Sequence, residues 1–100
     1  PGSLTATLLL TPMHIAILGA GRVGTTLGRR FTEAGHSVTY GVRTPDDAKH
    51  AGLRVADMAD ACAHAELVLL CTPWAAAESA IPAAGDLRGK VLVDATNPIG

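Results

Sequence analysis

The sequence predicts an α/β fold, a doubly wound parallel sheet with strand order 3-2-1-4-5. Three observations carry that expectation. From Met13 onward, short apolar runs alternate with segments of helical period, the pattern left by parallel strands joined through crossover helices. The first apolar run passes directly into Gly19-Ala20-Gly21-Arg22-Val23-Gly24, a G-x-G-x-x-G that leaves a strand and opens a helix. A later run, Leu67-Val68-Leu69-Leu70, is apolar without alternation, as a strand buried on both faces of a parallel sheet must be.

His14 to Leu18 is the first strand. Val23, Leu27, Phe31 and Ala34 follow at spacings of four, four and three, which places them on one helical face, and Gly35 stops that helix. Ser37 to Val42 is the second strand, with Val38, Tyr40 and Val42 on one side. Asp46 or Thr44 starts a short helix reaching Ala51, and Gly52 ends it. Leu53-Arg54-Val55 is a short third strand whose charge suits a sheet edge. Asp57 caps a small helix through Ala63, and Leu67 to Leu70 is the fourth strand. Trp74 to Ile81 is helical in composition, and Pro82 breaks or kinks it. Gly85 to Gly89 then turns the chain into a fifth strand, Lys90 to Asp94. Right-handed crossovers give the strand order. They also put the ligand crevice beyond the carboxyl ends of strands one and four, where the winding reverses.

With 100 residues the chain is expected to form one domain with a modest core, residues 13–100, behind a leader or tag over residues 1–12. The leucine run Leu8 to Leu10 lacks a basic flank and is too short for a signal segment or a membrane span. Charged residues are 17% of the chain and the net charge is -1, so no strong field draws it to nucleic acid or to an anionic membrane. Cys62 and Cys71 lack C-x-x-C spacing, which argues against a zinc or dithiol site and fits small buried residues in a reducing cytoplasm. His14, His36, His50 and His64 are dispersed and suit surface or turn roles. No paired acid, metal cluster or Ser-His-Asp set can be assembled.

The chemistry therefore lies in the glycine loop. Gly19 permits a tight turn, Gly21 lets backbone approach a pyrophosphate, and Gly24 lets helix and strand pack closely. A helix that merely tolerates glycine is the plainer alternative, but each interior glycine costs about 0.5 to 1 kcal/mol relative to alanine, and Gly28 adds a fourth. Arg22 falls in the first helical turn, either against a phosphate or extended into water. An NAD site needs a carboxylate roughly 20 residues past the glycines to accept the ribose hydroxyls. Thr39 to Thr44 contains no acid. Arg43, nineteen positions after Gly24, stands where a guanidinium grips a 2′-phosphate, with Thr44 beside it. That arrangement points to NADP(H). Cys71, Thr72, Pro73 and Trp74 end the fourth strand on the same side and line the nicotinamide half, unless Trp74 is a core anchor. Asn97 hydrogen-bonds the carboxamide or ribose, or shapes a turn.

With these residues in view, the chain resembles the amino-terminal half of the NADPH-dependent reductases of the deazaflavin coenzyme F420 and the related NADP-oxidoreductase domains. The matching stretches are His14 to Gly24, Ala34 to Thr44, Glu66 to Trp74 and Val91 to Pro98. The resemblance implies a Rossmann-type fold and hydride transfer between NADPH and a deazaflavin or flavin-type acceptor. That family tends to place a small hydroxyl residue just before the 2′-phosphate arginine; Val42 stands there in this chain, so the grip rests on Arg43 and Thr44. Its members continue for about as many residues again, and that second half supplies the acceptor pocket and much of the dimer contact. The competing expectation is a non-catalytic NADP-binding module that acts through a partner or through self-association, covering the open side of the fifth strand.

Overall fold

The computed structural model describes residues 12–72 and 74–95, including all their side chains except those of 74–78. The expectations for residues 1–11, Pro73, Asn97 and the Trp74 side chain lie outside this described set. Five parallel strands form one sheet: β1 (His14–Leu18), β2 (Ser37–Gly41), β3 (Val55–Ala56), β4 (Leu67–Leu70) and β5 (Val91–Asp94). Their order is β3-β2-β1-β4-β5, as the sequence predicts. The helices are α1 (Arg22–Glu33), α2 (Met58–Ala63) and α3 (Trp74–Ala83), with a single 3-10 turn at Ala48–His50.

Alternation along the strands divides the core into two layers. Ile15, Ile17, Val38, Tyr40, Val42 and Leu69 face α1, with Phe31 half-buried against them. Ala16, Leu18, Val68 and Leu70 face the other way, onto Met58, Ala61 and Cys62 of α2 and Ala80 of α3. The central strands β1 and β4 are thus apolar on both faces, which is why their sequences do not alternate.

Local chemistry sets the ends. The Asp57 carboxylate accepts the Asp60 N–H at 2.8 Å and caps α2 as expected. Asp47, rather than Asp46 or Thr44, caps the short turn by accepting the Lys49 N–H at 3.0 Å. Gly52, with φ of +85°, then reverses the chain.

Further expectations are corrected or refined. The third strand is Val55–Ala56, not Leu53 to Val55, because Tyr40 and Val42 donate their N–H groups to Arg54 and Ala56 and so set the register. Helix α3 runs through Pro82 to Ala83; the proline lies in the final turn, where its missing N–H removes only one helical bond. His36 and His50, expected in surface or turn roles, stand in turns and are buried there. His36 Nδ1 accepts the Met13 N–H at 3.1 Å and its ring meets Phe31 edge-on, so the imidazole ties the turn before β2 to the start of β1. Finally, the apolar face predicted for α1 meets the sheet only in part: Phe31 packs on the core, beside the glycines. Gly24 and Gly28 are the helix's buried residues, while Val23 is 46% exposed and Ala34 is exposed as well.

The two edges of the sheet differ. On the α1 side, Val91 and Val93 lie beside Leu67 and Leu69 in register, beyond the reach of α1, which packs on β1 and β2. Val91 is 60% and Val93 42% exposed.

Candidate nucleotide-binding site

The carboxyl ends of β1, β2 and β4 converge through backbone bonds. Gly19 N–H donates to Gly41 C=O at 2.9 Å, and Cys71 N–H donates to Leu18 C=O at 3.0 Å. Gly19 has φ of +105°, a conformation that side chains disfavour, and a Cβ there would approach the Cys71 carbonyl oxygen at 3.2 Å and Thr72 Cα at 3.4 Å. The turn out of β1 is therefore pressed against the end of β4, at the predicted switch point.

Past that turn the loop opens. Gly21 is the N-cap of α1, in an extended conformation, and nothing lies within 4 Å of where its Cβ would project. It makes no side-chain cap, and the first turn of α1 contains no acid. The nearby hydroxyls point backward: Thr25 donates to Gly21 C=O at 2.9 Å and Thr26 to Arg22 C=O at 2.8 Å. Among the described residues the leading amides of α1 thus have no side-chain cap, and the helix dipole leaves them positive. Arg22 adds a full charge at the exposed start of the helix, where a cation costs about 0.3 to 1 kcal/mol unless an anion is present. Ala20 is half-buried beside the α1-side core and Val23 stands at the rim.

Gly24 closes the far side of the loop. A Cβ there would meet the Gly19 carbonyl oxygen at 2.7 Å and Ile17 Cγ2 at 3.2 Å, so only a hydrogen lets α1 come this close to β1.

On the β4 side, Cys71 is half-buried and Thr72 is buried, 5% exposed. Thr72 Oγ1 has no hydrogen-bond partner among the described residues, an arrangement that costs about 1 to 3 kcal/mol for a buried polar group. Burial raises the Cys71 thiol pKa above its ordinary value, with Asp94 adding to the effect. At neutral pH this side chain is an uncharged thiol, which sets no negative charge against an entering anion.

On the β2 side, Arg43 and Thr44 are both exposed just past the end of β2. The Arg43 Nη2 donates to Ser79 Oγ on α3. No carboxylate pairs with Arg43 among the described residues. The glycine loop, Arg43, Thr44, Cys71 and Thr72 are thus gathered at one sheet edge. Sequence reasoning missed Ser79, whose type and position carry no signal of their own.

Among the described residues no group of His, Cys, Asp and Glu is arranged to hold a metal ion, and no helix is long and apolar enough to cross a membrane. Residues 14–98 match the family described as NADP oxidoreductase, coenzyme F420-dependent. The chain belongs to that family.

Similar solved structures agree. A chain described as an F420-dependent NADP-reductase, from Arthrobacter sp. FB24, is 40% identical, superposes with a TM-score of 0.76, and is matched over 86% of this chain and 46% of its own length. A reductive aminase from Aspergillus terreus, in complex with NADPH and ethyl-5-oxohexanoate, is 30% identical with a TM-score of 0.69, over 87% of this chain and 32% of its own. The chain thus spans less than half the length of either relative. Its fold is of the Rossmann kind.

Proposed function

We propose that residues 13–100 form the NADP(H)-binding part of an oxidoreductase that transfers hydride between NADPH and a deazaflavin or flavin-type acceptor. The observation that carries this reading is the cradle past β1: uncapped helix amides, an open position at Gly21, and an unpaired Thr72 hydroxyl buried beside the Gly19 turn. Each is a cost or a vacancy in the protein alone and becomes favourable against a phosphate or ribose.

Within this reading the backbone of Gly19, Ala20, Gly21, Arg22, Val23 and Gly24 holds the pyrophosphate. Arg22 adds charge at the helix start. Arg43 and Thr44 take the 2′-phosphate, the arginine through a two-pronged contact. Cys71 and Thr72 line the nicotinamide half, and Pro73, Trp74 and Asn97, assigned from the sequence, complete it. When bound, the nicotinamide supplies the hydride chemistry itself. The protein contributes position and a dry wall.

Titration calorimetry tests it. NADPH should bind more tightly than NADH, and Arg43→Ala should remove most of the difference. Equal affinities for the two nucleotides in the unaltered chain refute the 2′-phosphate assignment.

A second reading, a binding module that works through a partner or a second copy of itself, is favoured by one observation. The β5 strand exposes Val91, Leu92 and Val93. The two readings are compatible, since a dinucleotide-binding half that must be completed by other chain would have both properties.

A further inference from the structure

We propose that Ser79, on α3, is a positioning residue for Arg43 and thereby helps set the preference for NADPH over NADH. The inference rests on the NADP(H) reading above. Ser79 belongs to no nucleotide-binding motif and lies 36 residues from Arg43 in the chain, yet its Oγ accepts a hydrogen bond from Arg43 Nη2. That bond joins the loop after β2 to the helix after β4, the two segments that flank the end of β1 in this strand order.

Three features make the contact suited to orienting the guanidinium without disabling it. First, the partner is neutral. A carboxylate at this point would pair with the guanidinium and compete with an incoming phosphate, whereas a hydroxyl fixes direction and leaves the full positive charge available. Second, Nη2 carries two hydrogens, so one bond to Ser79 leaves a two-pronged edge of the planar fork intact for phosphate oxygens. Third, Arg43 is exposed and would otherwise sample many rotamers, and a side chain ordered in advance loses less freedom on binding. Val42, the residue before the arginine, is buried in the α1-side core and has no hydroxyl to offer. Support for the guanidinium therefore comes from α3 rather than from the β2 loop.

The test is a set of variants of the full chain titrated with NADPH and with NADH. Ser79 is exposed in a helix, where alanine is well tolerated, so Ser79→Ala keeps the fold. Ser79→Ala should weaken NADPH binding roughly three- to tenfold, the scale of one hydrogen bond, with NADH affinity as the internal reference. Ser79→Thr, which keeps the hydroxyl, should restore most of the loss. Ser79→Asp should weaken NADPH binding more than Ser79→Ala does, because it neutralises the guanidinium. In an Arg43→Ala background, Ser79→Ala should change nothing further. If Arg43→Ala collapses the NADPH preference but Ser79→Ala leaves it intact or increases it, the positioning role is overturned and the NADP(H) reading stands. If Arg43→Ala leaves the preference intact, both fail together.

Discussion

Gly21 has an ordinary extended backbone and open space where a Cβ would project, so a side chain can be added there without strain. Gly21→Val should therefore leave the melting temperature within a few degrees of the unaltered chain while reducing NADPH affinity by more than tenfold, since the branched group enters the pyrophosphate position. Unchanged affinity in calorimetry would count against the cradle. Thr72 offers the complementary case. Replacing its unpartnered hydroxyl in Thr72→Val should leave stability unchanged or raise it by up to about 1 kcal/mol, because a buried polar group with no partner is removed. NADPH binding should weaken at the same time; denaturant unfolding and titration of one preparation read both effects, and tighter binding would overturn the role given to this hydroxyl. At this scale the placement of the glycines and of Arg43 past the carboxyl ends of β1 and β2 was legible, because spacing from the strands fixes it. The orphaned Thr72 hydroxyl and the Arg43–Ser79 bond were not, since both arise where segments distant in the chain meet.

Helix α1 shows why element boundaries were easier to read than element faces. The apolar period marked Val23, Leu27, Phe31 and Ala34, and the helix does begin and end where predicted. Its contact face joins Phe31 of that set to Gly24 and Gly28, which carry no hydropathy signal and were marked only by the glycine motif. At Gly28 a Cβ would overlap the Tyr40 hydroxyl and lie 2.7 Å from the ring carbon that bears it, so the helix rests on the tyrosine ring. Burial raises the Tyr40 pKa, partly opposed by Arg29, which keeps the phenol neutral beneath the helix. Gly28→Ala should destabilise the chain by about 1 to 3 kcal/mol through overpacking, even though alanine is the better helix former. A measured gain in stability would mean that the ring moves aside freely. The two-residue β3 begins two positions and ends one position later than expected for a related reason: its register is set by N–H groups of Tyr40 and Val42, not by its own sequence.

Across the whole molecule, strand order and parallel direction were readable from the alternation of elements and the handedness of crossovers. The open side of β5 was expected from its terminal place in that order, and Val91, Leu92 and Val93 are indeed exposed on it. Sedimentation velocity should detect self-association of the chain as concentration rises, and Val91→Lys combined with Val93→Lys should suppress it by charging the face. A chain that stays monomeric throughout would remove the support for the second reading. The unequal edges bear on growth of the sheet as well. At one border, β3 offers only two residues, Val55 and Ala56, too few to template a neighbour. At the other, β5 runs for four residues, and the alternate ones that do not bond β4 turn their backbone groups outward. A polypeptide that widened this sheet by pairing with β5 would do so with β4 standing between it and the glycine loop, so the turn after β1 would stay open.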